Sequence, residues 1–248
     1  MLGLGIGFYK LGGKDYFPWN PNIEQPGPKG WFKPDKITSS GDGTPVTSWA
    51  DSSPEGNNLS QSASENQGVL DDNALLLDGR ETPEGEEEVI GDHYDFDTAI
   101  QVGGREAFIL FMVLDLDSVD TQTLLGIGGA SEFLEIQTNK RIRAKIDGTQ
   151  TSQAYASAIF PTNQKFILTF QRESGVTGNF NVFIDGVLQT PTSQQANAGA
   201  IDFSVLGSRG EDRFLDGHIY EIIIYDTSDL TNSSIDRIHG YLKRQHSI

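Results

Sequence analysis

The side chains with most chemistry to offer in this chain are carboxylates. It holds 35 Asp and Glu, and eleven of them fall between residues 71 and 97, where Arg80 is the one basic residue. A retaining glycosidase needs two carboxyl groups about 5 Å apart across the scissile bond. Residues two apart on a strand share a face and could supply such a pair. No Glu here is followed two residues later by Asp, and Glu132/Glu135 and Glu221/Asp226 are wrongly spaced for one strand face. Nucleophilic catalysis finds no foothold either: there is no Gly-x-Ser-x-Gly elbow and no cysteine. His93, His218, His239 and His246 are scattered with no His-x-x-x-His spacing, so zinc is not expected. His93 reads as an exposed residue of the acidic stretch, and His239 as a packing or surface residue of a C-terminal helix. Gly126-Ile127-Gly128-Gly129 follows a strand pattern but opens no helix, so it reads as a turn, not a phosphate loop.

Calcium is the one ion this pattern accommodates, because it takes about six to eight oxygen ligands of the kind acidic rim loops present. The candidate ligands are Asp115, Asp117 and Asp120, just beyond the most apolar run, and Asp92, Asp95 and Asp97 in the acidic stretch. Neither set matches a helix–loop–helix calcium pattern, and the plainer reading of residues 71–97 is a solvated, self-repelling loop. For sugar stacking or protein docking the relevant rings are Trp19, Trp31 and Trp49. Trp19 and Trp31 lie in a Pro-rich leader and read as anchors in a partner's groove; Trp49 reads as core.

The elements that must position these groups are strands. Residues 107–117 (AFILFMVLDLD) form an unbroken apolar run of the length of a buried central strand. Phe180, Val182 and Ile184 alternate with polar residues before Asp185-Gly186, which supplies the two positive φ values of a tight hairpin. Ile222-Ile223-Ile224, within a strand over 217–225, suits a strand covered on both faces. Further strand patterns recur at a spacing of roughly ten residues with turns between, which predicts a two-sheet antiparallel sandwich. One short helix is expected from Asn232 to about Gln245, N-capped by Thr231, with Ile235, Ile238, Tyr241 and Leu242 on one face.

Phe214, Gly217, Ile219, Glu221, Ile223, Tyr225, Asp226, Leu230, Thr231, Tyr241 and Leu242 carry a pattern that resembles the C-terminal segment of the concanavalin A-like lectin/glucanase superfamily, laminin G-like branch. The hairpin 182–186 and the stretch Val46–Ser53, with Trp49 and Asp51, are similar to two further segments of that family, so the resemblance covers roughly residues 30–245. It implies an all-β, two-sheet antiparallel jelly-roll sandwich with an extended N-terminal arm and one short C-terminal helix. It is weak for function, since this fold serves lectins, hydrolases and structural modules. The glucanase branch uses Glu-x-Asp-x-x-Glu on one strand, which is missing here. Rim carboxylates that bind calcium occur in several lectin-like branches.

Composition narrows the partners. The net charge of −17 argues against nucleic acid and anionic membranes. No run of about 18 apolar residues predicts a transmembrane helix, and residues 1–10 do not read as a secretory signal. The expected organisation is a docking arm over 1–35, with glycines and then prolines that disfavour regular structure, and a jelly-roll domain over 36–248. Leu2, Leu4, Ile6, Phe8, Tyr9, Trp19 and Trp31 would dock the arm on another subunit or protein; the arm could equally fold back over its own sandwich. Gly-rich leaders of this kind before a lectin-like module resemble those of bacteriophage virion proteins.

The expectation is therefore a non-enzymatic structural or adhesive module of a larger assembly, plausibly a virion, held through its arm. Its partners would be other virion or assembly proteins, or copies of itself, and its location a virion or the extracellular space. The alternative is a lectin module that binds surface polysaccharide, with calcium as the one cofactor in view.

Overall fold

The stretch FILFMVLDL becomes the middle strand of a sheet because its residues can be buried on both sides. The computed structural model describes residues 19–24, 27–79, 91–102, 107–128, 131–172, 180–195, 199–210, 213–226 and 230–248. Among them, β1 (Gly30–Thr38), β2 (Ser48–Asp51), β3 (Leu59–Ser60), β4 (Val69–Asp71), β5 (Ala74–Leu77), β6 (Tyr94–Val102), β7 (Phe108–Leu116), β8 (Gln122–Gly126) and β9 (Phe133–Thr138) form the first half. The second half holds β10 (Arg141–Ile146), β11 (Thr149–Ala154), β12 (Phe166–Arg172), β13 (Phe180–Ile184), β14 (Val187–Leu188), β15 (Ser193–Gln194), β16 (Ile201–Leu206), β17 (Gly217–Tyr225) and the helix α1 (Asn232–His246).

Every strand pairing described is antiparallel. One layer runs β14–β13–β12–β7–β17, and β17 then pairs with β5 through Gly217–Ile219 and with β1 through Ile222–Ile224. The other layer runs β3–β6–β16–β8–β9–β10–β11–β15, and β2 joins the two by pairing with both β1 and β3. Between the layers lies the main core: Phe108, Leu110, Met112 and Leu114 of β7, Phe166, Leu168 and Phe170 of β12, and Leu134, Ile136, Ile142 and Ala144 from the facing layer. The fold is the all-β sandwich that the strand pattern predicts.

The alternate residues of β7, Ile109, Phe111 and Val113, point the other way and meet a second apolar layer made by α1. Thr231 caps the helix by accepting from the Ser234 N–H, and Ile235, Ile238 and Leu242 cover the sheet. Each such buried side chain contributes about 1.5–3 kcal/mol. The predicted hairpin forms at Asp185 and Gly186 with φ of 52° and 80°. Among the described residues no helix is long and apolar enough to cross a membrane.

The expected boundary of the arm moves. Prolines discourage central strands, yet Gly30–Thr38 is a strand, with Pro34 inside it. Pro34 is tolerated because the pairing with β2 breaks between Phe32 and Ile37, so its missing N–H is not called on by that ladder. The described residues before it also pack on their own chain: the Tyr225 hydroxyl donates to the Pro21 carbonyl at 2.9 Å, and Asn22 Nδ2 donates to the Ser52 carbonyl at 2.9 Å.

Candidate functional site

The site is built on a fault in β17. Its register against β7 shifts between Ile219, opposite Leu114, and Glu221, opposite Val113. This bulge sends Tyr220 and Glu221 to the helix side of the sheet, while Ile219 and Ile222 both remain in the main core. Strict alternation would have put Glu221 in phase with Ile219, a carboxylate among hydrocarbon.

Relocated, the Glu221 side chain is fully buried and held from several sides. Trp31 Nε1 on β1 donates to Oε1 at 2.7 Å, and His246 Nε2 at the end of α1 lies 2.7 Å from Oε2. The Tyr241 phenol stands close to this carboxylate at the cleft wall. Burial, followed by the charge of Glu221, pushes the Tyr241 phenol well above its ordinary range. Tyr220 is pushed up to about 12 by burial first, then by Asp72, Asp115 and Asp71. Both rings therefore keep their hydroxyl protons at neutral pH.

Tyr220, Glu221, Tyr241 and His246 wall a cleft of about 690 Å³ between the bend of β1 at Lys33–Asp35, the β4–β5 turn at Asp72–Asn73, Lys165 and the last turn of α1. Asp72 and Asn73 adopt φ of 47° and 57°, the left-handed pair of a tight hairpin that lifts their side chains to the rim. Lys165 Nζ stands 3.8 Å from the centre of the Tyr220 ring, and Lys33 Nζ is 4.9 Å from that of Trp31 and 3.4 Å from Asp35. The His218 ring stacks on Tyr220 and contacts Asp71 at 2.8 Å. The cleft thus joins two partly lipophilic phenol rings to a mixed set of donors and acceptors.

Trp31 is 6% exposed, its ring taken up inside this chain. Trp19 packs on Tyr241 at 5.6 Å and donates to Glu24 Oε1 at 2.9 Å. Glu24 in turn receives both arms of Arg237 at 2.9 and 3.0 Å, which hold its carboxyl below the usual range. Of the expected docking residues, these two help to clamp α1 onto the sheet. Leu2, Leu4, Ile6, Phe8 and Tyr9 lie outside the described residues. Trp49 is buried in the core, its Nε1 donating to the Lys33 carbonyl at 2.7 Å.

Among the described residues no group of three or more His, Asp and Glu stands where it could hold a metal ion. Asp115 sits in β7 opposite His218, with burial raising its carboxyl, whereas Asp117 and Asp120 follow on the exposed connection to β8; the three do not converge. In the other candidate set, Asp92 is buried and accepts the Asp78 N–H at 2.9 Å, and Asp97 accepts from Asn58 at 3.1 Å. His93, expected to be exposed, is half-buried, with Nδ1 3.0 Å from the Gly91 carbonyl oxygen and Nε2 3.2 Å from Gln61 Nε2. His239 is a packing residue, 2.8 Å from the Thr169 hydroxyl and edge-on to Phe111. The Glu221–His246–Trp31–Tyr241 cluster was not foreseen; the lone acid amid isoleucines was its one signal in the sequence.

No family model matches this sequence, and no curated protein matches it. Solved structures do share its fold. Trypanosoma rangeli sialidase in complex with sialic acid superposes with a TM-score of 0.52 at 14% identity, covering 88% of this chain and 33% of the sialidase. Domain 4 of AbnA, a GH43 extracellular arabinanase from Geobacillus stearothermophilus in complex with arabinotriose, gives 0.50 at 17% identity, covering 86% of this chain and 98% of that domain. A botulinum neurotoxin type C structure, described with cell entry dependent on two ganglioside molecules, gives 0.50 at 14% identity, covering 84% and 52%. The chain thus spans a third of the sialidase and about half of the toxin chain. At these identities the likeness shows the β-sandwich fold.

Proposed function

We propose that this protein is a non-catalytic carbohydrate-binding module whose glycan enters the cleft above Glu221. The observation that carries the reading is the Tyr241 ring set with Lys33, Asp35, Asp72, Asn73 and Gln245 around one concavity. Pyranose and furanose rings present C–H faces that pack on aromatic rings and hydroxyls that need directed donors and acceptors, and concave sites of this make-up are where such ligands bind. The fold supports it, since structural neighbours were solved with arabinotriose and sialic acid or described with gangliosides. Glu221 is engaged at both oxygens by Trp31 and His246 of its own chain, which suits a structural role better than acid–base chemistry on a substrate. The alternative is an assembly module docked through its arm, of which Trp31 and Trp19 pack on the chain's own helix layer.

The test is calorimetric titration against arabino-oligosaccharides, sialylated glycans and neutral glucans, with wild type, Asn73→Gly and Gln245→Ala. Both substitutions leave the fold intact, because glycine accepts the positive φ of position 73 and Gln245 is exposed. The expected result is binding of at least one class, weakened about tenfold by either change, roughly 1.4 kcal/mol. Absence of binding to every class, or unchanged affinity in both variants, would reject the cleft as the site.

A further inference from the structure

The second sheet carries a separate groove that the cleft does not explain. At the β9–β10 turn, Thr121, Gln137, Thr138, Lys140, Arg141 and Tyr155 line a depression of about 520 Å³. Its two charged residues are both cations, in a chain of net charge −17. Lys140 and Arg141 are exposed, and strand alternation puts Arg143 and Lys145 on the same outer face as Arg141. Arg143 pairs with the buried Glu135, which also draws Arg209 to 3.6 Å. Asp120 precedes Thr121 in sequence and does not line the groove.

The uncharged part of the groove is held in shape by bonds within the chain. Thr121 Oγ1 donates to the Gln137 carbonyl at 3.0 Å, which fixes the wall, and Thr138 Oγ1 accepts the Lys140 N–H at 3.2 Å, which fixes the turn. Tyr155 donates to Gln153 at 2.7 Å, so the edge of its ring is held in place beside Arg141 and Ala154. Gln137 and the exposed Arg141 line the groove together. A planar guanidinium grips a carboxylate or sulfate through paired N–H donors, and an ammonium beside it adds charge.

We infer that this groove is a second ligand site, for the anionic group of an acidic saccharide, whether a uronate carboxylate or a sulfate ester. It lies on the opposite layer from the cleft and stands independently of it. Because the protein as a whole repels polyanions, capture must come from this local reversal of sign, and it weakens as salt screens it.

The full chain is titrated at low and at physiological ionic strength with polygalacturonate, dextran sulfate, neutral dextran and poly-glutamate. Wild type is compared with Lys140→Glu/Arg141→Glu and with the control Lys36→Glu/Arg244→Glu, which makes the same change in net charge at exposed positions elsewhere. The expected result is binding of polygalacturonate or dextran sulfate but not dextran, weakened by salt, reduced at least about tenfold in the groove variant and largely kept in the control. A preference between the two polymers tells carboxylate from sulfate. Failure to bind either polyanion at low salt, or equal losses in both variants, overturns the site. Equal binding of poly-glutamate overturns its assignment to saccharide. A positive result here with no neutral glycan bound in the cleft would separate the two readings.

Discussion

His246 Nε2 and Glu221 Oε2 lie 2.7 Å apart with both side chains almost wholly buried, which ties the last turn of α1 to the bulge of β17. The other carboxylate oxygen takes the Trp31 N–H, so one acid joins the helix and two strands. Replacing it with alanine leaves Trp31 Nε1 and His246 Nε2 without their acceptor. Glu221→Ala is expected to lose about 3–5 kcal/mol, the range for a buried pair deprived of one partner, and Glu221→Gln distinctly less, because the amide oxygen still accepts one bond. Urea unfolding measures both. A loss below about 1 kcal/mol for the alanine variant would mean that water reaches these donors.

Burial holds the His239 imidazole below its ordinary value, with Lys243 adding to the effect and Asp236 and Asp185 opposing it. The unfolded chain takes up a proton at this residue near pH 6.5, and the folded chain only at lower pH. Stability from this group is therefore complete above about pH 6.5 and is lost as the pH falls towards the folded value. Melting temperatures between pH 7.5 and 5.5 should decline in wild type and decline less in His239→Gln, which can still reach the Thr169 hydroxyl. Parallel curves would assign the pH dependence to other groups.

Gly217 begins β17 at φ 140°, where a Cβ would strike the Asp115 carbonyl oxygen and come within 2.9 Å of Leu116 Cα. Both obstacles are backbone of the neighbouring strand and cannot swing aside. Gly217→Ala is expected to cost about 2–4 kcal/mol from strain and overpacking together. Gly43, at φ 72° with open space around it, makes the comparison: Gly43→Ala should cost about 1 kcal/mol. Equal losses at the two positions would show that backbone strain alone governs both.

What the sequence determined by itself is the local and periodic part of this protein. The run Phe108–Leu116 announces a strand buried on both faces, Asp185-Gly186 a hairpin, and Thr231 a helix start, because each is decided by residues within a few positions of one another. The sandwich follows from many such elements in one chain. The tertiary structure alone decided which way Glu221 faces, since a bulge of one residue inverts a strand's alternation and strand pairing, not composition, places bulges. It alone brought Trp31 to Glu221 across 190 positions of sequence, and it packed Trp31 and Trp19 against Tyr241, where the sequence left open whether the leader docks on a partner or folds back over its own sandwich. Asp115, Asp117 and Asp120, although neighbours in the chain, do not form a group that could hold a metal ion, because a shared site needs convergence in space.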